Sequence, residues 1–256
     1  MFQIAIMFKR VLSPLQEFGI AAGGIYLLNR LLSALSPHLR LYLYELMIQP
    51  VGAEPLLPAR RRASFAIREI LPGDPELVRM PVRPEVMAAR RAQNATCLGA
   101  FNGAGAMIGY LWFCKNVYEE DEVRCTFVLE QPEQSVFDFD FYLFPEYRMG
   151  TGFLALWNGA YDVFRQLGIR HTFSRMTRFN TASRRAHRRL GARRVAVVLF
   201  AKAWRVELML ATIFPYVHLS GADSKRVRLT LQPDRLSGCP PAAELHRPPN
   251  PALDRR

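Results

Sequence analysis

The sequence predicts a mixed α/β fold in which a central sheet carries helices on both faces. Three observations lead to this prediction. Half of the 256 residues are apolar, which is enough for a sizeable buried core. A glycine-bearing turn joins a strand of alternating polarity to a long helix. From Ser64 onwards the predicted order is a strand, two helices, a three-strand meander, the long helix, a strand, a helix and two strands.

An amphipathic helix is the first predicted element, because apolar residues recur at three- and four-residue steps from Leu15 to Leu35. Leu39 to Val51 alternates and is rich in Tyr and Leu, which predicts a strand. Two interpretations of the helix stay open. It packs on its own domain, or it docks on a membrane surface through residues 1–40, where arginines and a lysine lie nearby.

A linker is predicted from Gly52 to Arg62, which contains two prolines and three consecutive arginines. It divides an N-terminal extension, residues 1–58, from a main domain over residues 59–220. Residues 221–256 form a C-terminal segment. It is rich in Pro and Arg without periodicity from about residue 236, so that tail is predicted to be disordered.

The first half of the main domain is predicted from turn and cap signals. Asn102-Gly103-Ala104-Gly105 predicts a hairpin, and Pro84 fits the first turn of a helix. The acidic run Glu119-Glu120-Asp121-Glu122 has two interpretations, a solvated loop or a cover over an acceptor site that favours cationic amines. The elements are a strand at Ser64–Leu71, a helix at Arg83–Gln93, and strands at Thr96–Asn102 and Met107–Lys115.

The second half begins with a strand, Ser135 to Phe144, that alternates strictly in polarity. That alternation places Asp138 and Asp140 on one face, and Phe137, Phe139 and Phe141 on the other. The remaining predicted elements are a helix at Thr151–Leu167, a strand at Arg170–Thr177, a helix at Asn180–Leu190, and strands at Arg193–Lys202 and Trp204–Phe214.

The composition limits the partners of the chain. The formal net charge is +12, and nearly all of the basic residues are Arg. A GC-rich genome explains that skew as well as an anionic partner does. Nucleic acid is not expected, since there is no helix-turn-helix signal, zinc pattern or basic motif interleaved with aromatic residues.

The expected location is the cytoplasm of a bacterium. The cysteines form no C-x-x-C pair and are expected to be free thiols, and no metal site is predicted. The first ten residues place apolar residues before basic ones, the reverse of a signal peptide. A peripheral position on the inner membrane is the alternative.

The turn after Phe144 has the properties of an anion site. Glycines allow a ligand to approach the backbone, and the first N–H groups of the following helix have no partner within the helix. These donors lie at the positive end of the helix dipole, which suits a pyrophosphate. A turn that binds nothing explains the same residues when they are taken alone. Its six residues are Tyr147, Arg148, Met149, Gly150, Thr151 and Gly152.

Taken together, the motifs resemble those of the GNAT superfamily of N-acetyltransferases. The run YLFPEYRMGTG is followed about thirty residues later by Asn180, Ser183 and Gly191 at the spacing of that family's second motif. The strong resemblance covers about sixty residues, and a weaker match in element order reaches back to Ser64. There are two departures, since Tyr147 stands where the family prefers Gln or Arg, and His187 where many members carry Tyr.

The resemblance implies a mostly antiparallel GNAT-like sheet and an acyl-coenzyme A donor, most simply acetyl-coenzyme A, that transfers its acyl group to an amine without a metal. It implies that the six turn residues, together with Leu143, Asn180 and Ser183, bind the donor. The backbone N–H near Leu143 would polarise the thioester carbonyl. Asp140, or its neighbour Asp138, is predicted to be the base or to orient the amine, because two neighbouring carboxylates raise one another's pKa. The alternative is that both carboxylates face solvent or are counter-ions for arginines.

Several alternatives stay open. His187 is either the acid that protonates the leaving thiolate or a surface residue, with its pKa lowered by adjacent arginines. The Arg-rich helix around it is a solvated face, or it attracts the coenzyme phosphates. The donor could be a long-chain acyl-coenzyme A or an acidic acyl carrier protein. A non-catalytic scaffold that binds an acyl-coenzyme A or a lipid surface is the last alternative.

Overall fold

The computed structural model describes residues 12–233. Its main helices are α1 Ile20–Leu35, α2 Pro84–Ala92, α3 Gly152–Gln166 and α4 Thr181–Arg189, and a further helical segment at residues 12–18 precedes α1. Shorter helical turns occur at Ala59–Arg62, Pro75–Arg79 and Pro145–Tyr147. The strands are β1 Leu39–Pro50, β2 Phe65–Glu69, β3 Thr96–Asn102, β4 Met107–Cys114, β5 Val117–Glu119, β6 Cys125–Leu129, β7 Ser135–Leu143, β8 His171–Thr177, β9 Arg193–Ala203, β10 Val206–Ala211, β11 Val217–Ser220 and β12 Val227–Leu231.

The main sheet contains nine strands in the order β11-β10-β9-β1-β8-β7-β4-β3-β2. Its neighbours pair antiparallel except β7 and β8, which run parallel. β1 therefore lies between β8 and β9, so the N-terminal extension contributes a central strand of this sheet. The predicted class, a mixed and mostly antiparallel sheet, is confirmed.

Each face of the sheet has its own core. On one face α3 packs through Trp157, Tyr161 and Phe164. On the other face lie Trp112, Phe137 and Phe139, covered by α2 and by a second sheet of order β12-β6-β5. Aromatic side chains fill both layers, and burial of such side chains is the main favourable contribution to folding. Helices on both faces are thus confirmed as well.

Four short strands were not predicted. β5 and β6 lie in the stretch 116–134 that was interpreted as polar, and β11 and β12 follow the last predicted strand. β12 pairs with β6 in parallel, about a hundred residues away in sequence, a partnership that no local pattern records. The predicted strand Trp204–Phe214 is shorter, because it is β10 alone.

The first helix is only partly amphipathic. In α1, Ala22 and Gly23 are buried, whereas Leu28 and Leu35, which belong to the predicted apolar stripe, are exposed. α1 is held beside β1 by a hydrogen bond from the Leu41 N–H to Asn29 Oδ1, at 2.7 Å. The helix packs on its own domain but leaves apolar side chains uncovered. The first eleven residues, the predicted tail and Cys239 lie outside the described residues.

A buried carboxylate joins α4 to the centre of the sheet. Glu45 of β1 is fully buried and forms ion pairs with Arg178, Arg184 and Arg194. Burial raises the pKa of Glu45, but the hydrogen bonds from Arg184 and Arg178 outweigh it and hold the pKa below its usual value. The carboxylate thus stays ionised, and it fixes the position of α4 against β1.

Candidate functional site

The two parallel strands separate halfway along their length. β7 and β8 are in register only from Ser135 opposite His171 to Asp138 opposite Ser174. β7 then continues to Leu143 with its other edge still paired to β4. The backbone of β7 beyond Asp138 therefore faces a gap in the sheet, and its hydrogen-bonding groups on that edge are free of a strand partner. We refer to this opening between residues 139–143 and residues 175–177 as the gap.

Leu143 presents its backbone to the gap. The N–H of the next residue, Phe144, donates to the Ile108 carbonyl on the β4 side. Because backbone groups of neighbouring residues alternate between the two edges of a strand, the N–H and C=O of Leu143 point the other way. The Leu143 carbonyl accepts a hydrogen bond from Arg148 Nε at 3.0 Å, which agrees with that direction.

A β-bulge interrupts β7 at Asp140. The register with β4 shifts by one residue between Tyr110 and Trp112, and Asp140 has φ of 48°, in the left-handed region. Asp tolerates that region better than most residues do, and the extra residue changes which side chains face which way. Phe139 lies in the core under α2, whereas Phe141 packs on the α3 side.

The bulge places the two predicted carboxylates on opposite faces, so their prediction as a pair on one face is wrong. Asp140 lies on the α2 side, where its Oδ2 is 2.5 Å from Arg90 Nη1. Arg90 in turn lies over the ring of Phe139 and also pairs with Asp121 at 2.9 Å. The strict alternation of β7 cannot show this, because one bulged residue reverses the face of everything after it.

Asp138 is buried on the α3 side. Burial raises its pKa to about 7. The hydroxyl of Thr172 on β8 lies beside the carboxyl group and offsets part of that rise. Burial also raises the pKa of Tyr161 on the same face, and the charge of Asp138 adds to that rise. The raised pKa of Asp138 therefore comes from its surroundings and not from Asp140.

His187 is buried, and its interpretation as a surface residue is wrong. Its ring stands edge-on to Trp157, with centroids 5.3 Å apart, and also contacts Phe141 beside the gap. Burial, and not the adjacent arginines, lowers its pKa to about 4, so the ring is neutral at pH 7.

A relay of two hydrogen bonds fixes the tautomer of His187. Gln49 Nε2 donates to the Tyr161 hydroxyl at 2.8 Å, which turns Gln49 Oε1 toward His187 Nδ1 at 3.0 Å. The hydrogen of the neutral ring is assigned to Nδ1 on this network, and Nε2 is left as an acceptor. An acceptor nitrogen suits a base better than it suits the predicted acid.

We refer to residues 147–152 as the phosphate turn, after the pyrophosphate that the sequence predicts there. The turn is open to solvent, and the first N–H groups of the helix that follows it have no side-chain cap. Gly150 has φ of 142°, which a side chain would strain, and a Cβ on Gly152 would lie 2.9 Å from the Tyr147 carbonyl. Thr151 is the N-cap of α3, with no side-chain cap and no acidic residue in the first turn. Met149 and Gly150 are exposed. The N-terminal N–H groups of α3 therefore remain accessible to an anion.

The two side chains beside the turn point in different directions, and only Arg148 reaches the gap. Arg148 lies over the ring of Tyr142, 5.3 Å from its centroid, while it donates to Leu143. The Tyr147 hydroxyl is 3.4 Å from Asn102 Nδ2, and its ring packs against both cores. The turn and the gap are thus contiguous, joined by Arg148.

α4 begins on the other side of the gap. Asn180 is its N-cap and accepts from the Ser183 N–H at 3.0 Å, as its residue type favours. The arginines of this helix divide into two groups. Arg184 is buried against Glu45, whereas three others are exposed: Arg185, Arg188 and Arg189.

The acidic run is mostly exposed, as a solvated loop requires, with one buried member: Glu119, Asp121 and Glu122 are exposed and Glu120 is not. Glu120 is buried and accepts two hydrogen bonds from Arg175, at 2.6 and 2.8 Å. Glu122 pairs with the same guanidinium and accepts from the Tyr44 hydroxyl at 2.8 Å. Sequence reasoning missed Arg90 and Arg175, because each pairs with acids 30 to 55 residues away.

Residues 12–233 hold neither a candidate metal site nor a helix that could span a membrane. No group of three His, Cys, Asp or Glu side chains there is arranged to hold a metal ion. No described helix is long and apolar enough to cross a membrane.

The comparisons with known proteins find a partial likeness in fold. No protein-family model and no curated protein matches the sequence. A conserved protein of unknown function from Staphylococcus epidermidis ATCC 12228 is 13% identical with a TM-score of 0.47, over 68% of this chain and 66% of that one. A tandem GNAT protein from the clavulanic acid biosynthesis pathway is 15% identical with a TM-score of 0.43, over 67% and 56%.

Many of the similar structures are GNAT N-acetyltransferases, as the motifs predict. AAC(6')-Iy in complex with a bisubstrate analogue of coenzyme A is 19% identical with a TM-score of 0.37, over 50% of this chain and 89% of that one. This chain spans no more than two thirds of the length of the two structures described first. The roles of the site residues therefore rest on the geometry of this chain.

The raised pKa of Asp138 predicts a pH-dependent stability. An unfolded Asp has a pKa of about 3.9, so between that pH and about 7 the folded state binds more protons, and the unfolding free energy falls as pH rises. Asp138→Asn removes this loss, on the order of 4 kcal/mol at most by pH 8. Urea unfolding at pH 5 and pH 8 measures it. An equal stability change at both pH values would contradict the assignment.

Proposed function

We propose that the protein is an acyl-coenzyme A dependent N-acyltransferase that transfers an acetyl group to a primary amine by direct attack. One observation carries the proposal. The gap after Asp138 opens directly beside the phosphate turn, so a single extended ligand reaches both. Its pyrophosphate would meet the N-terminus of α3, and its thioester would meet the free edge of β7.

The free backbone of β7 accounts for binding and for polarisation. The pantetheine arm carries amides that pair with unpaired strand backbone in the manner of a short added strand. The N–H of Leu143 faces the gap and would donate to the thioester carbonyl, where negative charge develops. Arg148 now occupies the Leu143 carbonyl and would have to move when the arm binds. Asn180 and Ser183 would flank the arm from the α4 side.

The transfer step needs no protein nucleophile. The amine nitrogen attacks the carbonyl carbon, a C–N bond forms, the C–S bond breaks, and the sulfur leaves as a thiolate that accepts a proton. An amine in its ammonium form must first lose a proton. We assign that role, or the orientation of the amine, to Asp140, which lies on the α2 side of the gap with Arg90 on one of its oxygens.

The remaining two predicted catalytic groups are assigned supporting positions. Asp138 and His187 lie on the α3 side, both buried, and neither faces the side on which Asp140 stands. His187, with Nε2 as acceptor, would contact the sulfur end of the donor after it enters past Phe141. The neutral ring holds a proton only on Nδ1, which Gln49 binds, so protonation of the thiolate would come from solvent or from the departing amine proton.

Donor binding is tested by adding a charge to the phosphate turn. Met149→Glu places a carboxylate where the pyrophosphate would lie, and Met149 is 93% exposed, so the fold has no reason to change. We expect the Kd for acetyl-coenzyme A to rise about tenfold or more, because like charges repel at the helix terminus. Val78→Glu, at a side chain 91% exposed elsewhere, is the matched control. Calorimetric titration measures both.

The donor assay also separates the alternatives for the acyl group. Thermal shift with acetyl-, butyryl- and palmitoyl-coenzyme A compares chain lengths, since a ligand that binds only the folded state raises Tm. Stabilisation by acetyl-coenzyme A supports the proposal, and stabilisation only by the long chain favours the long-chain alternative. No shift with any thioester, together with equal titrations for Met149→Glu and wild type, would overturn the proposal.

The assignment of Asp140 predicts a loss of turnover without a loss of binding. Asp140→Asn keeps the shape of the side chain and removes its charge, so we expect kcat for thiol release to fall by about 10²-fold or more. The Kd for acetyl-coenzyme A should stay within a factor of two or so, since the turn is unchanged. Glu54→Gln, an exposed carboxylate on the linker, is the control. Unchanged turnover would remove Asp140 from the mechanism and leave donor binding standing.

A further inference from the structure

One face of the sheet is left uncovered at its far edge. Strands β9, β10 and β11 form the edge of the sheet beyond β1. One face of these strands carries Phe200 and Met209 into the aromatic core. The opposite face of the same strands is the uncovered one. Most of the large apolar side chains that are exposed in the described residues lie in α1 or between residues 204 and 219. We call the exposed side of β9–β11 the outer face.

The outer face is built from cross-strand rows of aliphatic residues. Residues opposite each other in antiparallel strands share a face, so the register defines each row. One row runs through Leu41, Ala201, Leu208 and Leu219, and the next through Leu43, Leu199, Leu210 and Val217. Exposure rises along both, from the half-buried or buried leucines of β1 to Leu219 at 65% and Val217 at 62%.

Aromatic side chains stand at both ends of these strands. Trp204, in the hairpin between β9 and β10, is 62% exposed, and Phe214 and Tyr216 are exposed in the turn between β10 and β11. The Trp204 N–H donates to the His38 carbonyl at 3.2 Å, so the hairpin adjoins the end of α1, where Leu35 is exposed. An aliphatic surface with Trp and Tyr at its margins has the composition of a protein surface at a lipid interface.

The charge around the outer face has one sign. There is no acidic residue from Phe18 to Tyr44, and only one, Glu207, from Arg193 to Ala222. Glu207 is buried on the opposite face, where its Oε1 accepts from the Arg124 N–H at 2.8 Å. Arg40 and Lys202 lie in the same cross-strand row as Glu207, on the opposite face, and Arg194 pairs with Glu45. The exposed basic residues beside the outer face are Arg30 on α1 and Arg205 in the hairpin between β9 and β10.

A second copy of the chain would fit this surface poorly. Two outer faces brought together would bring Arg30 and Arg205 of both copies into one interface, with no exposed acidic residue of these two stretches to compensate. An anionic surface is complementary to the same two residues. The apolar rows enter the acyl region of a bilayer, and each basic residue contributes about 1 kcal/mol with anionic headgroups.

We propose that the outer face, with the exposed end of α1, docks the protein on an anionic lipid surface. The partner chemistry is a bilayer with phosphate-bearing, negatively charged headgroups. The hairpin between β9 and β10 supplies both an interfacial residue, Trp204, and one of the basic groups, Arg205. The docking is independent of the donor site, since β1 and β8 separate the strands of the outer face from β7.

Vesicle co-sedimentation of the full chain tests the proposal. Vesicles of phosphatidylcholine alone are compared with vesicles that contain equal parts of phosphatidylglycerol. We expect binding to the anionic vesicles and little to the neutral ones. Val217→Glu/Leu219→Glu should lower the partition coefficient roughly tenfold or more. Leu71→Glu/Val78→Glu, which places the same charges on exposed apolar residues elsewhere, is the matched control and should bind as wild type does.

The basic groups are tested separately. Arg30→Gln/Arg205→Gln should weaken binding roughly fivefold for each charge removed, and the salt dependence of binding should fall with it. Trp204 gives a local signal, because Trp112 and Trp157 are fully buried and Trp204 is exposed. A blue shift of fluorescence on adding anionic vesicles, absent in Trp204→Phe, reports insertion of this hairpin.

Three outcomes would overturn the proposal. The first is no binding to anionic vesicles, and the second is binding that survives Val217→Glu/Leu219→Glu. The third is a dimer in light scattering without lipid that the same double variant converts to monomer, which would assign the face to a second copy. An unchanged Tm of the double variant shows that a loss of binding is not a loss of folding.

Discussion

The separation of β7 from β8 is the constraint on which the rest of the structure depends. A parallel pair in the middle of a sheet would ordinarily satisfy the backbone of both strands along their whole length. Here the pairing ends at Asp138. From Phe139 to Leu143, the edge of β7 that faces β8 has no strand partner. An unpaired strand edge inside a protein is costly unless something pairs with it, and this edge is accessible from the phosphate turn.

The bulge at Asp140 and the ion pairs around it keep the strands apart. Because of the extra residue at Asp140, the side chains of β7 after the bulge lie on the faces opposite to those that strict alternation predicts. The ion pair with Arg90 holds Asp140 on the α2 side. On the β8 side of the gap, Arg175 of β8 forms ion pairs with Glu120 and Glu122, and Glu45 of β1 forms an ion pair with Arg184 of α4. Removing one partner of such a buried pair leaves an uncompensated charge, so these contacts fix the width of the gap more firmly than apolar packing alone would.

Local patterns in the sequence were sufficient for most of the fold and for the position of the glycine-bearing turn. The spacing of apolar residues and the turn chemistry predict the ends of β7, α3, β8 and α4 to within two residues. The predicted turn at Gly150 is open, with no atom close to the position of a Cβ. What the patterns could not show is non-local. The bulge at Asp140 depends on its pairing with β4, and the burial of His187 depends on Trp157 and Gln49. The position of β1 between β8 and β9 is likewise a property of the sheet and not of any segment.

Hydrogen exchange with and without acetyl-coenzyme A tests the central claim most directly, because it reads the backbone groups themselves. An amide that gains a hydrogen bond or loses access to water on binding exchanges more slowly. The account predicts added protection at two places at once, the N–H groups of residues 139–143 and those of residues 150–154, with little change in β10 or β12. Protection at the turn without protection along β7 would contradict the claim that one ligand spans the turn and the gap.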